Sequence, residues 1–155
     1  MGILSSKNKQ NKKSVQVENV QKTDNIINTN QDILLDNKKH LIVDDASSNR
    51  LVLRRYLEIY GCTVDEAENG LDALRKIKTC GKYKVIWMDI KMPKMDGIDC
   101  TRYLREELNY SGPIISLSGY VDEVTIRRCY ETGVNHVMSK PFDKGVIQMY
   151  VEKFS

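Results

Sequence analysis

Residues Val85 to Gly97 read VIWMDIKMPKMDG. Four apolar residues, Val85 to Met88, run directly into Asp89; a loop containing Pro93 follows, and Asp96-Gly97 closes it. A short, continuous apolar run bounded by turn residues is the pattern of a strand covered on both faces. The carboxylate at its end admits three roles: the polar residue that terminates the strand, a metal ligand, or a nucleophile. Asp89 alone does not choose between them, so its neighbours in the fold must.

Upstream, His40 to Val43 (HLIV) form another short apolar run, ending in Asp44-Asp45. Ser47 or Ser48 is placed to cap a helix that carries Leu53, Tyr56, Leu57 and Tyr60 at i, i+3, i+4, i+7. Gly61 ends it. Cys62 to Ala67 (CTVDEA) is a second, weaker strand, and Leu71, Leu74 and Ile77 mark a second helix closed by Gly81. Downstream of Asp89, Ile98, Leu104 and Leu108 mark a third helix before the break at Ser111-Gly112-Pro113. IISL is the fourth strand, Val124 to Tyr130 a charged fourth helix stopped by Gly133, and NHVM the fifth strand. Ile147, Tyr150, Val151 and Phe154 line a last helix. Five strand–helix units in about 115 residues predict a doubly wound α/β fold, a parallel sheet with helices on both faces. Right-handed crossovers leave few topologies for it.

The 155 residues suffice for one domain with a real core. Residues 1–38 are rich in Lys, Asn, Gln and Ser without sustained periodicity and are expected to be a disordered tail, with the ordered domain spanning 39–155. The formal net charge is +3, and the tail carries Lys7, Lys9, Lys12 and Lys13 with no acid among its first residues. The remainder is nearly balanced, which argues against a nucleic-acid-binding face. No apolar run approaches the roughly 18 residues of a membrane span, and no secretory segment follows the start. Cys62, Cys80, Cys100 and Cys129 are widely spaced, as reduced thiols of a cytoplasmic protein rather than zinc ligands.

In an open parallel sheet, ligands bind beyond the carboxyl ends of the strands. The residues leaving those ends are Asp44 and Asp45, Asp89, Ser118, and Ser139-Lys140-Pro141. Taken singly, each has a plainer role: Asp44-Asp45 as helix cap, Ser118 as turn residue, Lys140 as a solvated charge. Together they put three carboxylates, a hydroxyl and an ammonium on one edge. Crowded carboxylates either keep a proton or recruit a cation. Hard oxygens that leave room for water suit Mg2+, and no His stands among the strand ends to suggest zinc. Lys140, read as lacking a dedicated partner, suggests a site awaiting an anion. A phosphoryl group fits, contacted by Lys140 and Ser118, with Asp89 as the nucleophile that forms an acyl phosphate. Alignment and charge neutralisation are most of what such a transfer needs.

These residues resemble the receiver domain of the two-component response regulators. LIVDDASSNR is similar to its acidic-pair opening, IWMDIKMPKMDG to its phosphoacceptor signature D-x-x-M-P-x-M-D-G, IISLSGY to its hydroxyl-bearing fourth strand, and VMSKPF to its Lys-Pro turn. The resemblance covers roughly Lys39 to Ser155. It implies a flavodoxin-like fold with strand order 2-1-3-4-5. It also implies Asp89 as phosphoacceptor, Asp45 as a direct Mg2+ ligand, Asp44 acting mainly through water, and the Lys91 carbonyl as a further ligand. Ser118 and Lys140 would hold phosphoryl oxygens. The donor would be a phosphohistidine on a histidine kinase or histidine phosphotransfer protein, and the readout surface the face from the fourth to the fifth helix. Because the fifth unit uses up the chain, a stand-alone phosphoacceptor is expected, assisting its own transfer rather than turning over a separate substrate. It would signal by conformational change or pass the phosphate on.

Three departures from the family pattern stand out. Val137 occupies the place, three before the lysine, where the family often has an aromatic switch residue; His136 beside it is expected at the surface. Lys91 and Tyr120, each two beyond a site residue, would flank the route of an attacking water and shield an acyl phosphate. The tail opens MGILSS, fitting M-G-x-x-x-[ST] with Gly2 as a myristoylation site. One acyl chain binds membranes only marginally, at around 10⁴ M⁻¹, but nearby lysines would strengthen it on an anionic surface. The expectation is thus a cytoplasmic protein, either free, with a solvated tail, or peripheral at a membrane. Two rival functions are a non-phosphorylated docking module or scaffold and a metal-dependent phosphohydrolase. The second needs another acid two residues after the nucleophile, where Lys91 stands.

Overall fold

The computed structural model describes residues 38–120 and 122–155; the expected tail, with Gly2 and its lysines, lies outside the described residues. In chain order the elements are β1 (Lys39–Val43), α1 (Ser47–Ile59), β2 (Thr63–Ala67), α2 (Gly70–Cys80), β3 (Val85–Asp89), α3 (Gly97–Glu106), β4 (Ile114–Ser118), α4 (Glu123–Glu131), β5 (His136–Ser139) and α5 (Lys144–Lys153). The five strands are all parallel, in the order β2-β1-β3-β4-β5. This is the expected flavodoxin-like topology.

The pleat explains why the strands read as unbroken apolar runs. Leu41, Val43, Ile86, Met88 and Ile114 point to one face, where they pack with Ala73, Leu74 and Ile77 of α2, Ile98 and Leu104 of α3, and Cys129 of α4. Their neighbours Ile42, Val85, Trp87, Ile115 and Leu117 point to the other face and meet Leu53 and Leu57 of α1 and Ile147 and Val151 of α5. Alternate side chains therefore fill two separate cores, and neither face of a central strand tolerates polarity. His40, 2% exposed, and Ser116 of β4, 1% exposed, are exceptions. The His40 Nδ1 accepts a bond of 3.1 Å from the Trp87 indole N–H, and burial, with the Lys84 charge, lowers the His40 pKa to about 4. His40 sits in the core as a neutral acceptor.

Local chemistry sets the helix boundaries. Asn69, Asp96, Asp122 and Asp143 each cap a helix, accepting the backbone N–H of Asp72, Asp99, Thr125 and Val146. α1 differs from expectation. Its cap position is Ala46, not Ser47 or Ser48, and the side chain of Ala46 makes no capping bond. The Asp44 carboxylate takes the Ala46 N–H instead, at 2.9 Å. Leu71 also departs from the predicted apolar stripe. It lies in the first turn of α2 and is 47% exposed, while Ala73, Leu74 and Ile77 make the buried face. His136 is not a plain surface residue either. Its ring lies 5.0 Å from that of Tyr150, and its Nε2 is 2.9 Å from the Lys153 ammonium. The four cysteines are free thiols, three buried and Cys80 exposed. Among the described residues no helix is long and apolar enough to cross a membrane.

Candidate functional site

The carboxyl ends of β1, β3 and β5 converge. β3 includes Asp89, so the backbone of this residue is held by the sheet, with Asp89 registered opposite Leu117 of β4. Its side is further fixed by Gly97, whose N–H donates to the Ile90 carbonyl at 2.9 Å and brings the start of α3 against the Asp89 backbone. Lys140 follows β5 through a cis peptide to Pro141, and its N–H donates to the Ser118 carbonyl at 2.7 Å. One oxygen from each of Asp44, Asp45 and Asp89 lies within 4.8 Å of the others.

The three carboxylates are not equivalent. Asp44 is fully buried, and its two oxygens accept from the Ala46 N–H, the Asn49 side-chain amide (3.2 and 3.1 Å) and the Lys140 ammonium (2.7 Å). Asp45 is exposed and takes none of these bonds. Asp89 is 5% exposed and pairs with Lys140 at 3.1 Å. Lys140 is therefore not without a partner, as its sequence context suggests. Its ammonium bridges Asp44 and Asp89. Burial alone would pull the Lys140 pKa down, but the bond to Asp44 and the field of Asp89 outweigh it and hold the ammonium above its ordinary value. Burial raises the Asp89 carboxyl above the usual range, Asp44 and Asp45 push it further, and Lys140 only partly offsets them. One ammonium facing three carboxylates leaves negative charge uncompensated, and all the facing donors are hard oxygens. The residues present fit a small divalent cation.

Among the described residues, no side-chain hydrogen bond or ion pair joins the other expected residues to the three carboxylates. The Ser118 hydroxyl donates to the Tyr120 carbonyl and accepts the Tyr120 N–H at 3.2 Å, so it is engaged within the β4–α4 loop. Tyr120 is 71% exposed and Lys91 is exposed. Val137 is half-buried against the core on the α2–α4 face. A cavity of about 450 Å³ adjoins Asp45, lined in part by Lys91, Met92, Pro93, Thr125 and Arg128. Asp96-Gly97, which closes the loop after Asp89, caps and starts α3. Two residues were not singled out from the sequence: Asn49, which straddles the Asp44 carboxylate, and Arg50, which reaches the same loop. Both stand in the stretch DDASSNR, one helical turn beyond the acids, where spacing alone offered the signal.

A family model described as the response regulator receiver domain matches residues 41–152. The osmosensing histidine protein kinase SLN1 of Saccharomyces cerevisiae is 33% identical over 121 residues, covering 75% of this chain and 10% of that protein. Hybrid signal transduction histidine kinase L of Dictyostelium discoideum is 35% identical over 122 residues, covering 75% and 7%. The chain thus spans a tenth or less of the length of these curated relatives. Among solved structures, the chemotaxis protein CheY4 of Vibrio cholerae matches with a TM-score of 0.70 at 26% identity, over 76% of this chain and 98% of that one. A chain from the CheX-CheY-BeF3-Mg2+ complex of Borrelia burgdorferi matches with a TM-score of 0.70 at 29% identity, over 76% and 89%.

Proposed function

The chain belongs to the response regulator receiver family of two-component signalling, and on that premise we propose that Asp89 accepts a phosphoryl group from a phosphohistidine on a histidine kinase or phosphotransfer protein. The observation that carries this reading is the position of Asp89: nearly buried at the end of β3, paired with Lys140, and within 4.8 Å of two further carboxylates. In the proposed step a carboxylate oxygen of Asp89 attacks phosphorus. The P–N bond to the donor imidazole breaks, its electron pair returns to the ring nitrogen, and an acyl phosphate forms on Asp89. Asp45, Asp89 and the Lys91 carbonyl would hold Mg2+, with Asp44 acting through water, because the oxygens of Asp44 are already occupied by three protein donors. Bound there, the cation would neutralise charge on the phosphoryl oxygens.

Lys140 supplies the second positive charge by exchanging its carboxylate partners for a phosphoryl oxygen. Ser118 supplies a hydrogen bond by releasing the Tyr120 carbonyl. That release is a local change in the β4–α4 loop, and a phosphoryl group that binds the released arrangement better shifts the equilibrium toward it. The cavity beside Asp45 leaves room for donor side chains. The test is to incubate the protein with Mg2+ and a small acyl-phosphate donor and measure intact mass. One phosphoryl adduct is expected, lost in Asp89→Asn. The absence of any adduct, with a small donor and with a phosphorylated histidine kinase alike, would replace this reading by that of a docking module. The half-buried Val137, standing where an aromatic switch is common, keeps that alternative in view.

Lys91 and Tyr120 bear on how long the acyl phosphate lasts. Both are exposed, Lys91 two residues beyond Asp89 and Tyr120 two beyond Ser118. The double variant Lys91→Ala, Tyr120→Ala is expected to dephosphorylate several-fold faster, followed as decay of the adduct mass after removal of the donor. An unchanged decay would remove both residues from this role.

A further inference from the structure

The acid pair that faces Asp89 sits in the loop between β1 and α1, beyond the last β1–β2 pair, Val43 with Ala67. Among the described residues, no backbone N–H donates to the carbonyl of Asp44 or of Asp45. Arg50 does so instead. Its Nη1 donates to the Asp44 carbonyl at 2.8 Å and lies 3.4 Å from that of Asp45. The same guanidinium is fixed from behind: Nε donates to Glu66 at 3.1 Å, and Nη2 lies 3.5 Å from Glu68. Glu66 is itself held by Arg54 at 2.7 Å. Arg50 is 9% exposed, unusual burial for an arginine on a first helical turn. A planar fork with several donors can grip two carbonyls and a carboxylate at once, which a single ammonium cannot.

We propose that Arg50 is a positioning residue for the cation site: clamped by Glu66 of β2, it fixes the Asp44–Asp45 backbone and thereby aims the Asp45 carboxylate at Asp89. This rests on the reading of the acid cluster as a Mg2+ site. Partners that orient metal ligands typically govern affinity by about 10- to 100-fold. Without the guanidinium the two carbonyls lose their donor and the loop can rotate, so Asp45 no longer starts from a fixed position. Asn49 fixes the Asp44 side chain but touches neither carbonyl, so it does not substitute.

The experiment is a calorimetric Mg2+ titration of the full chain, wild type against Arg50→Ala, Arg50→Lys and Arg54→Ala, with thermal melts in EDTA alongside. Arg54 binds the same Glu66 but not the acid loop, so its variant reports the purely structural effect. Arg50→Ala is expected to weaken Mg2+ binding by about 10- to 100-fold, and Arg50→Lys to weaken it as well. Arg54→Ala is expected to bind close to wild type even where its melting temperature falls. Wild-type affinity in folded Arg50→Ala would overturn the proposal, as would an equal loss in Arg54→Ala. Should Arg50→Ala fail to fold, Arg50→Lys decides: wild-type affinity there overturns the clamp. A wild-type chain that takes up no Mg2+ would overturn the cation site itself, whereas normal wild-type binding with indifferent Arg50 variants overturns the clamp alone.

Discussion

Replacing Lys140 with alanine is expected to slow phosphoryl transfer to Asp89 by about a hundredfold or more, the range seen when one preorganised donor is removed from a charge-developing site. The ammonium touches both Asp44 and Asp89, and among the described residues no other cation is paired with either carboxylate. Its loss leaves three acids facing one another. Asp89, already raised by burial and by its acidic neighbours, then loses the main influence that lowers it. A carboxyl whose folded-state pKa lies above the unfolded value favours folding while protonated and loses that contribution as pH rises through the folded pKa. The variant should therefore be less stable than wild type at neutral pH and regain part of the difference as pH falls toward the raised pKa of Asp89. Adduct formation with an acyl-phosphate donor measures the first effect and denaturant unfolding at several pH values the second. A variant phosphorylated within a few-fold of the wild-type rate would remove Lys140 from the transfer.

Gly97→Ala is expected to cost about 3 kcal/mol of stability, the upper part of the usual range for overpacking, and to disturb Asp89 in the process. A Cβ at this position would lie 2.1 Å from the Asp89 carbonyl oxygen and 2.9 Å from both its carbonyl carbon and the Met88 Cγ. The nearest obstacle is backbone inside a paired strand, so it has no rotamer by which to yield. Either α3 lifts away, losing the bond from Gly97 to Ile90, or Asp89 shifts relative to Asp44 and Asp45. Gly145→Ala is the comparison, since its Cβ would meet only the Asp143 carboxylate at 3.2 Å. Denaturant unfolding of both variants tests this. Equal stability of Gly97→Ala and Gly145→Ala would show that the α3 junction has slack which the geometry does not suggest.

The fold was legible because its signals are local. Apolar runs such as VIWM and HLIV mark strands buried on both faces, glycines after α1, α2 and α4 adopt positive φ as helix stops, and no residue had to be placed by a distant partner. The acids were legible for a topological reason: a parallel sheet brings its strand ends to one edge. What escaped is what depends on side-chain reach across that edge. The acid near Lys140 in sequence, Asp143, is taken up in capping α5, and the ammonium finds Asp44 and Asp89 instead. Ser47 and Ser48 look like caps, but the helix begins one residue earlier, with Ala46 at the cap position and both serines inside the first turn. Arg50 stands three before Leu53 and seven before Leu57, in line with the buried stripe of α1, where an arginine is unexpected. Its partner Glu66 lies 16 positions away on β2, so the sequence does not show that the charge is met there.

The bridge from Lys140 to Asp44 spans 96 positions of sequence, and it carries a consequence for synthesis. As the chain leaves a ribosome, all three acids emerge well before the lysine that balances them, and β5 is the last strand to join the sheet, at its edge. A nascent or truncated chain holds the carboxylates without their ammonium and without the strand that delivers it. If Asp89 is the phosphoacceptor proposed above, such a copy would be charged far more slowly than the finished domain. On the proposed reading the last strand would act as a completeness check, with fast loading reserved for molecules folded to the end of the sheet.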